Sequence, residues 1–353
     1  MDRINKIRQV LEQENLDAIL ITKPENRRYM TGFTGTAGVA IVGLEEAVFI
    51  TDFRYTEQAG EQVKHFKIVE HKQGIHKEIS SQLEKMHAKR VGFEKNHLTF
   101  ATYEQYKQVI KGDLVPKNQV IEKLRMYKTE AELEIMKKAA QIADDAYVHI
   151  QKYIKPGVKE IEIANELEFF MRKKGATSSS FDIIVASGYR SALPHGVASD
   201  KEIQAGELVT LDYGALYNGY CSDITRTIAV GEISDKLEEI YHIVLEAQLR
   251  GVAGIKPGMT GKEADALTRD YITEKGYGEY FGHSTGHGLG MEVHEGPSLS
   301  YLSETVLEPG MVVTVEPGIY VPQVGGCRIE DDIVITKTGN ERLTKATKEL
   351  IIL

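Results

Sequence analysis

The residues most suggestive of chemistry are acids lying within β-rich sequence. In residues 207–230 (ELVTLDYGALYNGYCSDITRTIAV) two β-rich runs flank Asn218-Gly219, a dipeptide suited to a two-residue hairpin turn. With that turn, Tyr217 pairs with Tyr220 and Asp212 faces Thr225. Period-2 alternation then puts Asp212 and Asp223 on one face, diagonal neighbours roughly 7 Å apart. Two carboxylates held so close repel each other unless something positive sits between them. The plainer reading is a pair of solvated aspartates on an exposed hairpin face. Against it stands the depletion of aspartate in strands.

Three further segments carry candidate ligands. Residues 281–290 (FGHSTGHGLG) hold His283 and His287, whose spacing suits a helical zinc site. Gly286, Gly288 and Gly290 argue against a helix there, and no HExxH motif is present. Residues 312–316 read as an apolar strand ending in Glu316, stopped by Pro317-Gly318, and a carboxylate at a buried strand end is costly unless paired or ligating. Residues 326–336 (GCRIEDDIVIT) alternate, with Arg328, Glu330 and Asp332 on one face, where a plain polar sheet surface is the competing reading. Four carboxylates and an imidazole on β elements fit hard divalent ions such as Mn²⁺. Two such ions ~3.5–4 Å apart would offset the charge and activate a bridging hydroxide.

The elements that must position these groups fall into two parts. Residues 1–124 alternate helical and strand signals: Ile4, Ile7, Val10 and Leu11 recur at helical spacing, and apolar runs at 17–22, 39–42, 47–51, 66–69 and 91–93 read as strands. Polar helical stretches such as 75–87 separate them, which defines an α/β domain. A charged connector, 122–128, leads to Thr129, which with Glu132 forms a capping box at the start of a long helix whose apolar stripe runs through Ala139, Ala143, Ala146, Tyr147 and Ile150. Residues 125–353 contain an internal repeat. KPGVKEIEIANELEFFMRKKG at 155–175 and KPGMTGKEADALTRDYITEKG at 256–276 share a helix–KPG–helix–KG order, each followed by strand-rich sequence.

Composition narrows the class of partner. The 353 residues are 42% hydrophobic and 27% charged, with 43 Lys and Arg against 52 Asp and Glu, a net charge of −9. This balance disfavours a nucleic-acid polyanion as partner. Two cysteines, Cys221 and Cys327, offer no disulfide framework and read as structural. The first residues open a charged amphipathic helix rather than an apolar signal core, and no run is long enough to span a bilayer. A cytoplasmic location is expected.

In their order along the chain these segments resemble the creatinase/prolidase/methionine-aminopeptidase family. The resemblance rests on Pro194-His195-Gly196, Leu211-Asp212-Tyr213-Gly214 with Asp223, Gly286-His287-Gly288-Leu289-Gly290, His294-Glu295, Glu316-Pro317-Gly318 and Arg328-Ile329-Glu330, with Thr51-Asp52-Phe53-Arg54-Tyr55 as an echo in the N-terminal part. It implies an α/β N-terminal domain (1–124) and an α+β C-terminal pita-bread domain (125–353) with an internal pseudo-duplication. It also implies two divalent ions, Mn²⁺ first with Co²⁺ or Zn²⁺ as substitutes, held by Asp212, Asp223, His287, Glu316 and Glu330. Asp223 and Glu330 would bridge both ions, and Glu316 would also shuttle a proton. His195 and His294 would orient substrate and stabilise the tetrahedral intermediate. Arg328, His283 and Tyr320 are candidate substrate contacts, Arg328 either gripping a substrate carboxylate or supporting Glu330. The activity implied is hydrolysis of the bond before proline by an Xaa-Pro dipeptidase, in a homodimer. An Xaa-Pro aminopeptidase and a non-catalytic peptide-binding protein are the alternatives. Residues 295–303 (EGPSLSYLS) lack a cation, which favours the aminopeptidase alternative.

Overall fold

Short aliphatic and β-branched runs make the strands of the N-terminal unit. A computed structural model describes residues 2–353, and the chain divides into units Met1–Arg125 and Met126–Leu353. In the first unit β1 (Ala18–Ile21), β2 (Val39–Gly43), β3 (Ala47–Thr51), β4 (Lys67–Glu70), β5 (Arg90–Glu94) and β6 (Asp113–Lys117) form one mixed sheet in the order β4-β3-β2-β1-β5-β6. β1, β2 and β3 are buried along their whole length, as expected of strands covered on both faces. β6 has no counterpart among the expected runs: it lies at the sheet edge, pairs only with β5 and contains Pro116, which an edge strand tolerates. The expected charged connector begins as a short helix, Val120–Arg125.

In the second unit the capping box at Thr129 and Glu132 starts helix Glu130–Ile150, and all five residues of its expected stripe are buried. Helix Glu160–Lys173 follows, then β7 (Ile184–Ser187), β8 (Glu207–Tyr213) and β9 (Ile224–Val230), which form an antiparallel sheet in the order β9-β8-β7. The pattern then recurs: helices Asp235–Gly254 and Gly261–Glu274 precede β10 (Gly286–Gly288), β11 (Val312–Val315) and β12 (Asp331–Ile335), again antiparallel neighbours in sequence.

Backbone hydrogen bonds repeat as well. Gly157 N–H donates to Ile203 O, Glu160 N–H to Lys201 O and Ile161 N–H to Ser199 O; in the second copy Gly258 N–H donates to Leu307 O, Gly261 N–H to Thr305 O and Lys262 N–H to Ser303 O. The duplication expected from 155–175 and 256–276 therefore extends through the helix starts, the loops they hold and the three-strand cores. Apolar side chains of the first helix pair (Ile142, Tyr147, Ile163, Leu167) pack on Val185, Val209, Leu211 and Ile228. In the second copy, Ile240, Val244 and Ala247 share a core with Ile272 and Phe281, while Ile255 and Ala264 pack with Val313, Val315 and Ile333.

Two expected continuous strands are broken. The hairpin register is as expected, with Tyr217 opposite Tyr220 and Thr225 opposite Asp212. At Gly214, however, the chain leaves one sheet for another, and a Cβ there would lie 1.7 Å from Ser222 O. Residues 326–336 are likewise two strands in different sheets: Gly325–Arg328 pairs with Gly318–Val321, and β12 pairs with β11. Ile329 and Glu330 form the step between them, and Glu330 N–H donates to Thr225 O. Alternation continues in the sequence across both breaks, so the pattern alone conceals them.

Candidate metal centre

The second unit encloses a cavity of about 500 Å³, and Asp212, Asp223, His287, Glu316 and Glu330 all line it. Asp212 comes from β8, Asp223 from the residue before β9, His287 from β10, Glu316 from the end of β11, and Glu330 from the step before β12. Both copies of the repeat thus contribute. Ligand atoms of Asp223, His287 and Glu330 lie within 4.8 Å of one another, and His287 Nε2 is 3.3 Å from Glu316 Oε1 and 3.8 Å from Asp223 Oδ2.

The polarity of His287 fixes what belongs in the gap. Its Nδ1 lies 3.1 Å from Gly288 O, an acceptor, so Nδ1 carries the proton and Nε2 turns a lone pair toward the carboxylates. Burial holds the imidazolium below its usual range, so a second proton on Nε2 is disfavoured. Lone pairs facing lone pairs call for a cation. Asp223 Oδ1 and Glu330 Oε1 are also buried without a hydrogen-bond partner. Burial, then Glu330 and Asp212, push the Asp223 carboxyl well above the carboxylate range. Burial, then Glu316 and Asp212, do the same to Glu330. Burial raises Glu316 to about 7 against the opposing pull of Arg328. These residues therefore fit divalent ions, the sequence having supplied the set and the fold its convergence.

Around the acids lie groups that sequence reasoning missed. Thr225 Oγ1 donates to Glu330 Oε2 at 2.6 Å, and Thr314 Oγ1 donates to Glu316 Oε1 while accepting from His287 N–H. Strand parity could have found both, since Thr225 pairs with Asp212 and Thr314 lies two residues before Glu316. Asp332, expected only as a face-mate of Glu330, accepts from Asp223 N–H at 2.9 Å and keeps its Oδ1 unpartnered.

Arg328 is buried and largely committed to protein groups. Nη2 donates to Asp212 Oδ2, Nη1 to Tyr320 Oη (2.6 Å) and to Pro194 O (3.2 Å), and Nε to Thr225 Oγ1. Four of the five N–H donors of a guanidinium are then engaged. The Tyr320 hydroxyl in turn donates to His283 Nε2 at 2.8 Å, while His283 Nδ1 donates to Ser284 O. Burial and then Arg328 lower His283 to about 4, so its ring is neutral. His283 and Arg328 line the cavity, with Tyr320 behind them as their link. His195 and His294 stand exposed on its rim, the His294 ring 4.3 Å from that of His287. Phe181, Ile184, Pro194, Val197 and Val293 supply the apolar wall. Cys221 and Cys327 are buried, and burial raises both thiols to about 12.

A double copy of helix, helix and three strands, with carboxylates and one imidazole at its centre, defines a class that sequence comparison identifies. Metallopeptidase family M24 matches residues 134–337, and the creatinase/prolidase N-terminal domain matches residues 3–127. The chain belongs to metallopeptidase family M24, with the pita-bread fold. Among solved structures it is similar to an Xaa-Pro dipeptidase from Bacillus anthracis, at 62% identity and a TM-score of 0.99 over 100% of this chain and 99% of that one. A curated relative, the Xaa-Pro dipeptidase of Pyrococcus horikoshii, is 45% identical over 99% of each chain. An X-Pro aminopeptidase from Thermotoga maritima is 39% identical with a TM-score of 0.92, covering 97% of this chain and 99% of that one. No helix among the described residues is long and apolar enough to cross a membrane.

Proposed function

We propose that this protein hydrolyses the peptide bond before proline in Xaa-Pro dipeptides. The observation that carries the reading is the set of lone pairs at the cavity floor, with the His287 imidazole and buried, unpartnered oxygens of Asp223 and Glu330 converging. The names borne by the Bacillus anthracis and Pyrococcus horikoshii relatives supply the substrate class. Catalysis is placed in residues 125–353, with 1–124 as a separate domain, in a homodimer.

Asp212, Asp223, His287, Glu316 and Glu330 would hold two divalent ions, Mn²⁺ foremost. Bound there, the ions supply Lewis acidity and lower the pKa of water. Glu316 takes a proton from the attacking water and carries it to the departing proline nitrogen. His195 and His294 on the rim hold the substrate carbonyl and donate to the oxygen on which negative charge develops. Arg328 holds Asp212 and Tyr320 in place, and Tyr320 locks the neutral His283 ring in the wall.

The commitment of Arg328 to protein acceptors favours one second reading. A dipeptidase must sense the free carboxylate after proline, and Arg328 has little left to offer it, so removal of the N-terminal residue from longer Xaa-Pro-Yaa peptides is the alternative. Product analysis of Mn²⁺-loaded protein on Ala-Pro and Ala-Pro-Ala separates them. Preference for Ala-Pro is expected. Faster release of alanine from the tripeptide selects the aminopeptidase, and full activity in chelator-treated protein overturns both.

A further inference from the structure

The rim loop that carries His195 is tied down by a residue outside the cavity. Glu160, the first residue of helix Glu160–Lys173, is fully buried. Its Oε1 accepts from Ser187 N–H (2.8 Å) and Ser187 Oγ (2.9 Å), and its Oε2 from Arg190 Nε (2.9 Å), Ser199 N–H (3.2 Å) and Ser199 Oγ (2.6 Å). One carboxylate thus grips the strand end where the loop departs, its first turn, and the point of return. Arg190 spans the loop from within by donating Nη2 to Val197 O. The cavity-lining residues Pro194, His195 and Val197 lie between these ties. Toward the cavity Gly326 N–H donates to Ser191 Oγ, Arg328 Nη1 donates to Pro194 O, and Val197 bridges to Ile184.

The internal duplication offers a comparison within the molecule. Position 261 is the second copy's counterpart of 160: Gly261 N–H and Lys262 N–H hold a loop in the same pattern as Glu160 N–H and Ile161 N–H. Where Glu160 projects its carboxylate, Gly261 has none, and the backbone of strand Glu295–Leu299 fills the space, so that a Cβ would lie 2.2 Å from Ser298 O. At this helix start the second loop is held by backbone bonds without a side chain from position 261, its own carboxylate contacts coming from Glu295, which accepts from Glu292 N–H and pairs with Lys128. A carboxylate at the helix start itself is present only in the copy whose loop presents His195.

We infer that Glu160 is a positioning residue for His195, its carboxylate setting the loop 187–199 so that the imidazole reaches substrate. A buried acceptor with five donors, one of them charged, fixes a loop far more tightly than backbone contacts alone. The inference rests on the proposed role of His195. The test is a double-mutant cycle on Mn²⁺-loaded protein with an Xaa-Pro dipeptide, combining Glu160→Gln with His195→Ala. Glutamine keeps the shape of Glu160 but turns a donor toward Arg190 and Ser199. Glu160→Gln is expected to lower kcat roughly tenfold or more in the wild-type background. In the His195→Ala background the same change should cost less than about twofold, and bound Mn²⁺ should be unchanged throughout. Equal losses in both backgrounds, or Mn²⁺ lost in step with activity, overturn the inference and leave the functional reading standing. A silent His195→Ala removes the proposed role of His195 and the inference with it, while Xaa-Pro hydrolysis itself stands. If Glu160→Gln does not fold, Ser199→Ala, which removes one donor from Oε2, runs the same cycle with a smaller effect of the same sign and is decided by the same outcomes.

Discussion

Asp223 and Glu330 each keep one buried oxygen without a hydrogen-bond partner, a desolvation cost that a bound ion would relieve. Asp223→Asn and Glu330→Gln should therefore abolish Mn²⁺ retention after gel filtration, measured by elemental analysis. Asp212→Asn, whose carboxylate also answers Arg328, should retain more; equal loss in all three would show that no carboxylate spans two ions. His195→Ala and His294→Ala should keep their metal while turnover falls on the order of 10²-fold, because they stand on the rim and their proposed role is to meet developing charge. His287→Ala should lose metal as well. Arg328→Met separates the two roles open to that side chain. With four donors on Asp212, Tyr320, Pro194 and Thr225, its loss should lower kcat about tenfold or more and weaken Mn²⁺ binding, with KM for Xaa-Pro little changed. A rise in KM alone would assign it to the substrate carboxylate instead.

Positions within elements were far more legible than the junctions between them. Asn218-Gly219 set the hairpin register, and Thr225 opposite Asp212 follows from it. The capping box at Thr129 and the buried stripe behind it follow from side-chain chemistry and the helical period. The breaks at Gly214 and at Ile329-Glu330 do not, because alternation counts residues and is blind to a change of sheet. What shapes the first break is a close approach of backbones, visible in the sequence only as a glycine. Gly214→Ala should lower the denaturation midpoint by an amount equivalent to ~1–3 kcal/mol, since its Cβ would meet Ser222 O. An unchanged midpoint would mean that the junction yields freely. The approach of His287, Glu316 and Glu330 to the aspartate pair was legible only through the resemblance to known relatives. Each contact joins segments dozens of residues apart, and no local pattern encodes it.

At the scale of the molecule, the site couples folding to protons and to divalent ions. In the ion-free protein Asp223, Glu330 and Asp332 have carboxyls raised well above their usual range, burial being the first cause for each, and Glu316 is raised to about 7. Between about pH 4.5 and 7 the native state therefore holds protons that the unfolded chain has released, and stability falls as pH rises through that window. Ions compete for the same carboxylates, so their stabilisation grows with pH. Melting in chelator should occur at lower temperature at pH 7.5 than at pH 5.5, and Mn²⁺ should raise it more at pH 7.5. A gap between the two curves that is constant across pH would refute the linkage. The duplicated architecture carries this coupling one step further. Asp212 and Asp223 lie in the first copy and His287, Glu316 and Glu330 in the second, with residues 231–234 joining the copies. A chain cleaved at that turn would yield two fragments, each holding an incomplete set of donors. Cobalt would then act as a dye for reassembly, taking on its ligand-field colour only when the two halves have found each other.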